Sequence, residues 1–572
     1  MSNKVYSIKI GGMAGQGIKS AGLNFAKVAA RSGYNIYNYI EYPSLIRGGH
    51  NVMQTTFSLD EVHSQIQSVD FLIALNQETI NLHKDELVSG AGIIFEDEGK
   101  IDATACKDKC RLFAVPLKKL ATEAGGQEIV SNNVALGASI SLMGGDIKYL
   151  FDLIDEDFSF KPEIAEINKK AAQSGYEYAQ TNFPNKFDSL LTPQKNANKK
   201  IVVNGTDGVA FGAIAAGLQY TAIYPMSPTS NILTILAANQ REYGYIYKQA
   251  EDEIAAINMS LGASFAGARA MTTTSGGGFC LMTEGFGLAG QTETPIVIVE
   301  GMRGGPGTGL PTWSEQGDLR MVLHAHQGEF PRIVVAAGDA EEAFHQIMLA
   351  FNLAEKYQTP VVLLVDKNIL DDEQTFPKFD YSSYQINRGK MVREKDPEYH
   401  RYVVTDDGIS PRTIPGVGNH LVANSDEHNS YGYSSETISD RNEQVQKRLR
   451  KLETCAKEDM GKPILFGPEN AEITIVSWGS CKGPILEAMK DYPFVNYLHI
   501  NWINPFPADA IKAILSRSTY LLDIECNSTA QMAGLIREKT GIDILDRFLK
   551  NDGRPFFPEE IKDKINSIIK TR

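Results

Sequence analysis

The chain has 572 residues, 42% of them hydrophobic and 22% charged, more than one hydrophobic core sustains, and is expected to form about three or four α/β domains. Its 56 basic against 70 acidic residues leave a net charge of −14, which argues against nucleic acid or an anionic membrane surface as a general partner. No apolar run reaches the roughly 20 residues needed to cross a bilayer and MSNKVYSIKIGG shows no signal-peptide core, so a cytoplasmic location is expected.

Residues 1–183 open with VYSIKIGGMAGQGIKSAGLNFAKVAARSGYNIYNYIEY, which reads as strand, glycine loop, amphipathic helix and strand. The loop GGMAGQG precedes a helix, so Gly15 and Gly17 could receive a phosphate; the spacing G-x-x-G-x-G does not match a dinucleotide fingerprint, and a plain tight turn remains open. EYPSLIRGGHN places Arg47 beside two glycines and His50, favouring an anion-contacting or interface loop. Strands follow at VDFLIAL and AGIIFED. Residues 184–200 are polar and Pro/Asn/Lys-rich, an expected linker.

Residues 201–376 restart the alternation, with TPIVIVEG and TPVVLLVD as buried parallel strands. Residues 377–463 break it; rich in Asp, Arg, His and Tyr, they are expected to form a surface connector with a short helix at EQVQKRLRKLE. Residues 464–572 form a third, smaller α/β domain. The six cysteines are scattered, and CKDKC lacks the second pair that a zinc or iron–sulfur site needs, so any cluster would come from another chain.

The second domain holds the candidate chemistry. GMRGGPGTGLPTWSEQGDL follows the TPIVIVE strand, at a strand C-terminus where open α/β sheets place ligands; its glycines suggest a phosphate cradle, and it carries Arg303 and Thr312. QAEDEIAAINMSLGASFAGARAMTTTSGGG puts acids at the head of a small-residue helix. Glu251, Asp252 and Glu253 could compensate the helix dipole, or a carboxyl among them could be held in a dry interface that the small residues allow. YPMSPTS brackets Ser227 with prolines, and without a G-x-S-x-G elbow it is no hydrolase nucleophile.

In this order and spacing, GGMAGQGIKSAG, YPSLIRGG, YPMSPTS, EDEIAAINMSLGASFAGARAMTTTSGGG, RGGPGTGLPTWSEQGDL, DDGISPRTIPG and the terminal EITIVSWGS, NPFP and IECNSTAQMAG resemble 2-oxoacid:acceptor (ferredoxin or flavodoxin) oxidoreductases, in the α subunit with a fused N-terminal γ domain. The resemblance covers nearly the whole chain. It implies a Rossmann-like γ domain, a thiamine-enzyme pyrimidine-half domain and a transketolase C-terminal-like domain. The implied reaction is coenzyme A-dependent oxidative decarboxylation of a 2-oxoacid, with 2-oxoglutarate favoured, and the implied cofactor is thiamine diphosphate.

The family's diphosphate half carries G-D-G, which is absent here. A β subunit is therefore expected to supply that half, Mg²⁺ and a [4Fe–4S] cluster, in an (αβ)₂-like assembly that passes electrons to ferredoxin or flavodoxin. By resemblance Glu253 is the glutamate that bonds the aminopyrimidine, Arg303, Thr312 and Ser227 contact the 2-oxoacid, and Gly15, Gly17 and Arg47 contact coenzyme A. Asn527 matches an N-x-x-x-Q element, with a helix cap as the equal alternative. A non-catalytic assembly subunit of the same fold is the rival reading.

Overall fold

The computed structural model describes residues 4–45, 48–97, 101–195 and 199–571. Two compact units emerge: Met1–Val203 with Asp372–Phe379 and Phe557–Arg572, and Asn204–Asp371 with Asp380–Phe556. No described helix is long and apolar enough to cross a membrane.

The first unit is built on an eight-stranded sheet in the order Arg111–Val115, Leu87–Glu96, Val69–Ala74, Tyr6–Met13, His50–Ser58, Asn35–Glu41, Glu373–Phe376, Ile201–Val203. The expected strand, helix and strand are Tyr6–Met13, Ile18–Arg31 and Asn35–Glu41. Strand His50–Ser58 inserts between the two strands, antiparallel to both, so the Rossmann-like start is split and the sheet is mixed. Hydrophobic periodicity misses this strand because it buries polar groups through hydrogen bonds. Gln54 Nε2 donates to Ser7 Oγ at 2.8 Å, and Thr55 Oγ1 donates to Asn38 Oδ1 at 2.8 Å. Helix Ile18–Arg31 buries Ile18, Phe25 and Val28 against this sheet's core.

The expected linker is not free chain in its first half. Phe187 packs edge-on to Phe71 and Phe113, and Leu190 and Leu191 are buried in the same core. Those three apolar side chains, diluted among polar neighbours, hold it down.

The second unit contains two sheets. One has seven strands, in the order Trp502–Asn504, Ile333–Ala336, Pro360–Asp366, Ile296–Met302, Ala270–Thr274, Tyr220–Ile223, Ile246–Gln249. All its pairings are parallel except that of Trp502–Asn504. This explains the apolar runs TPIVIVEG and TPVVLLVD: parallel sheets are covered on both faces. The other has five strands, Ile464–Phe466, Val495–His499, Ile473–Ser477, Tyr520–Glu525 and Asp546–Leu549.

The polar segment 377–463 is mostly exposed or half-buried, as a surface connector would be, but a minority of its side chains are buried in this unit. Its helix spans Ile438–Glu458, well beyond the short EQVQKRLRKLE expected. Lys447 and Lys451, both fully buried, each lie 2.6 Å from a carboxylate oxygen of Glu293. Arg412 meets Glu355 at 3.1 Å, and Glu355 also takes Arg269 at 3.0 Å. Most of the segment's charges face solvent, but Arg401, Arg412, Lys447, Arg448 and Lys451 are buried, and composition alone cannot distinguish the two sets.

Candidate active site

The glycine stretch leaves the C-terminal end of strand Ile296–Met302. A Cβ on Gly301 would lie 2.4 Å from Thr229 Cγ2, so only glycine admits the YPMSPTS turn this close. Arg303 then donates from Nη1 to the Ser227 carbonyl at 2.8 Å, joining two of the expected residues. The loop closes on itself: Leu310 N–H donates to Gly304 O at 2.8 Å and Gly304 N–H donates to Trp313 O at 3.3 Å. Amides spent on closure are withdrawn from any phosphate cradle. Thr312, next to Trp313, is buried with its hydroxyl lacking a hydrogen-bond partner.

The far end of the stretch is anchored by the five-stranded sheet's loops. Gln316 donates to Trp478 O at 2.8 Å and accepts from Cys526 N–H at 2.8 Å. Asn527 Oδ1 accepts from Ala530 N–H at 2.9 Å, as a cap would, while its Nδ2 donates to Gln316 O at 3.2 Å. Gln531 Nε2 donates to Gly317 O at 2.7 Å. The N-x-x-x-Q element thus both organises a helix entrance and tethers the loop.

Glu253 opens helix Glu253–Phe265, whose N-cap Asp252 accepts from Ala255 N–H. Dipole compensation therefore belongs to Asp252, while Glu253 is only 3% exposed. Its Oε1 has no partner and lies 2.6 Å from where a Cβ on Gly278 would stand. An orphaned carboxyl oxygen in a dry position calls for a ligand donor or acceptor. This fits the aminopyrimidine half of the thiamine diphosphate implied by the resemblance, with Glu253 as the residue that would hold it.

Between Arg303 and helix Gly276–Gln291 lies a cleft of about 190 Å³, lined by Ser275–Gly277, Cys280, Arg303–Gly307, Asp318 and Met321. The helix N-terminus and the guanidinium both favour an anion there. Ser275 is fully buried and its hydroxyl is unpartnered. Burial pulls the Arg303 guanidinium down from its ordinary range, opposed by Asp318 and Glu300. Glu300, the acid inside the IVIVEGM strand, is fully buried. Burial raises its carboxyl well above the usual range, and neighbouring Asp318 adds to this. Sequence reading passed over Glu300, Asp318 and Ser275. The one available signal was a carboxyl in an otherwise apolar strand.

In the first unit, Gly15 and Gly17 both have positive φ, 94° and 71°, and Gly17 caps helix Ile18–Arg31. Arg47 lies outside the described residues. Beside this loop, His50 Nε2 lies 2.8 Å from His83 Nε2, and His83 Nδ1 lies 3.0 Å from Glu86. Burial, then His83 and Lys9, push the His50 imidazole down to about 4, so it is neutral at neutral pH. Among the described residues, no three His, Cys, Asp or Glu side chains cluster as a metal site.

Two family models match the chain. Residues 7–178 match pyruvate ferredoxin/flavodoxin oxidoreductase, and residues 211–447 match the thiamine diphosphate-binding region of pyruvate flavodoxin/ferredoxin oxidoreductase. The chain is 33% identical to the α subunit of a 2-oxoacid:ferredoxin oxidoreductase from a Sulfolobus species, over 98% of this chain and 96% of that one. It is 32% identical to 2-oxoglutarate synthase subunit KorA of Methanothermobacter thermautotrophicus, over 64% of this chain and 98% of that one. Among solved structures it is similar to a 2-oxoglutarate:ferredoxin oxidoreductase from Magnetococcus marinus with 2-oxoglutarate, coenzyme A and succinyl-CoA bound. That match has a TM-score of 0.91 and 30% identity, over 99% of both chains.

Proposed function

Because the chain belongs to the 2-oxoacid:ferredoxin oxidoreductases as an α subunit, we propose that it decarboxylates 2-oxoglutarate oxidatively, yielding an acyl-coenzyme A, CO₂ and a reduced ferredoxin or flavodoxin. The observation that carries this reading is Glu253, a buried carboxyl whose free oxygen faces the Gly278 turn. Thiamine diphosphate, when bound, supplies the carbanion chemistry that cleaves the bond between the carboxylate and the keto carbon. Glu253 bonds its aminopyrimidine ring, and the small residues around it exclude water.

Arg303, fixed by the Ser227 carbonyl, takes the 2-oxoacid carboxylate at the N-terminus of helix Gly276–Gln291. Thr312, with its unpartnered hydroxyl, and Ser227 orient the keto acid. Gly15, Gly17 and Arg47 contact coenzyme A. A β subunit supplies the diphosphate half-site, Mg²⁺ and a [4Fe–4S] cluster, in an (αβ)₂ assembly in the cytoplasm.

The test is a panel of 2-oxoacids offered to the complex reconstituted with its β subunit, reading coenzyme A-dependent reduction of a low-potential dye. The expected result is highest kcat/KM with 2-oxoglutarate and no turnover by this chain alone. Turnover of none of the panel by the complex would favour an assembly subunit, and a better rate with pyruvate would overturn the substrate.

A further inference from the structure

We propose that the first unit carries a second anion site, apart from its glycine loop, which binds an organic polyphosphate of the nucleoside diphosphate kind in a cavity walled by Lys27, Arg31, Lys199 and Lys200.

The cavity has a volume of about 540 Å³, in the range of small-molecule sites, and lies wholly within this unit. Two segments bring cations to it. Lys27 and Arg31 stand four residues apart, on one face of the last turns of helix Ile18–Arg31. Lys199 and Lys200 lead into Ile201–Val203, the strand at the edge of the eight-stranded sheet. Gly17 caps the opposite end of the same helix, and a helix of this length sets its two ends about 21 Å apart. The cavity is therefore distinct from the loop proposed to contact coenzyme A.

Cations near a helix C-terminus ordinarily compensate its dipole, and that explains Lys27 and Arg31. It does not explain two more lysines brought to the same space from elsewhere in the chain. Carboxylates do not balance them, although the chain carries 70 acidic residues against 56 basic. Glu156 takes Arg31, at 2.6 and 2.9 Å, but among the described residues no ion pair engages Lys27, Lys199 or Lys200. Lys200 donates instead to the neutral side-chain oxygen of Asn35. Burial holds the Lys200 ammonium below its ordinary range, opposed by Glu61. Gathering like charges in one place costs free energy that a bound anion offsets.

The walls define the ligand's chemistry. Three ammonium groups without a carboxylate partner match a group of two or more negative charges, and phosphate oxygens accept charge-assisted bonds from all of them. Tyr149 and Val202, both half-buried, complete the wall with apolar surface, which suits the organic part of a phosphate ester better than a free ion.

Titration calorimetry of the full chain with ADP and with inorganic pyrophosphate tests this. ADP is expected to bind with a Kd below about 1 mM and at least about fivefold more tightly than pyrophosphate. Lys27→Gln combined with Lys199→Gln should weaken ADP binding at least about tenfold. If that variant does not fold, Lys199→Glu decides, because Lys199 is exposed and its charge reversal should weaken ADP as much. Lys107→Gln combined with Lys109→Gln, two exposed lysines elsewhere on this unit, should leave the Kd within about twofold. Three results would overturn the proposal: no binding of either probe, a wild-type Kd in the cavity variants, which would put ADP on the glycine loop, or an equal loss in the Lys107 and Lys109 variant, which would mark a diffuse attraction. Pyrophosphate binding as tightly as ADP would overturn the organic part of the ligand.

Discussion

Glu253 and Asp252 are neighbours with the same charge, and the fold gives them opposite tasks. Asp252 spends its carboxylate on a backbone N–H at the helix start, and Glu253 keeps an unpartnered oxygen in a dry position. Sequence reading could select Glu253 only through family resemblance, since local helix chemistry explains an acid at either place. Glu253→Gln preserves shape and removes the ionisable group. It should lower turnover by about 10²–10⁴-fold while leaving the 2-oxoacid KM close to wild type. Steady-state kinetics of the complex measure both numbers. The unpaired hydroxyls of Ser275 and Thr312 could not be foreseen, because no sequence pattern reports which polar side chain fails to find a partner.

At the scale of elements, the strands of the seven-stranded sheet were legible because burial on both faces writes continuous apolar runs. Strand His50–Ser58 was not, and helix Ile438–Glu458 was read only as the shorter EQVQKRLRKLE, because both satisfy buried polar groups with other buried polar groups. The pairing of that helix with Glu293 has measurable consequences. Burial depresses Lys451 to about 7 and Lys447 to about 8, whereas the two lysines hold Glu293 below its ordinary range. A lysine depressed in the folded state binds fewer protons there than in the unfolded chain, so its contribution to stability rises with pH between the folded value and the ordinary lysine range. Urea unfolding of wild type should therefore show stability increasing from about pH 7 towards pH 9, and Lys451→Met should flatten that rise. Glu293→Gln leaves two buried cations without their counter-ion and should cost about 3–5 kcal/mol at neutral pH.

At the scale of the whole molecule, the chain order does not follow the order of the units. Strand Glu373–Phe376 joins the first unit's sheet between Asn35–Glu41 and Ile201–Val203, and the final helix, Pro558–Thr571, also belongs to that unit. Composition shifts mark where a segment changes character, not where it returns. The nearly full-length match to an enzyme with 2-oxoglutarate and coenzyme A bound agrees in kind with the motif order, and the roles of single side chains rest on the geometry around Arg303 and Glu253. The central claim is that the glycine stretch presents Arg303 to a carboxylate instead of wrapping a diphosphate. Its most direct test is Arg303→Lys in the reconstituted complex, measuring 2-oxoacid KM beside the thiamine diphosphate Kd. Loss of the guanidinium's paired donors should raise KM at least about tenfold and leave the Kd within about twofold. An equal loss in both would contradict the account and return the loop to a phosphate cradle.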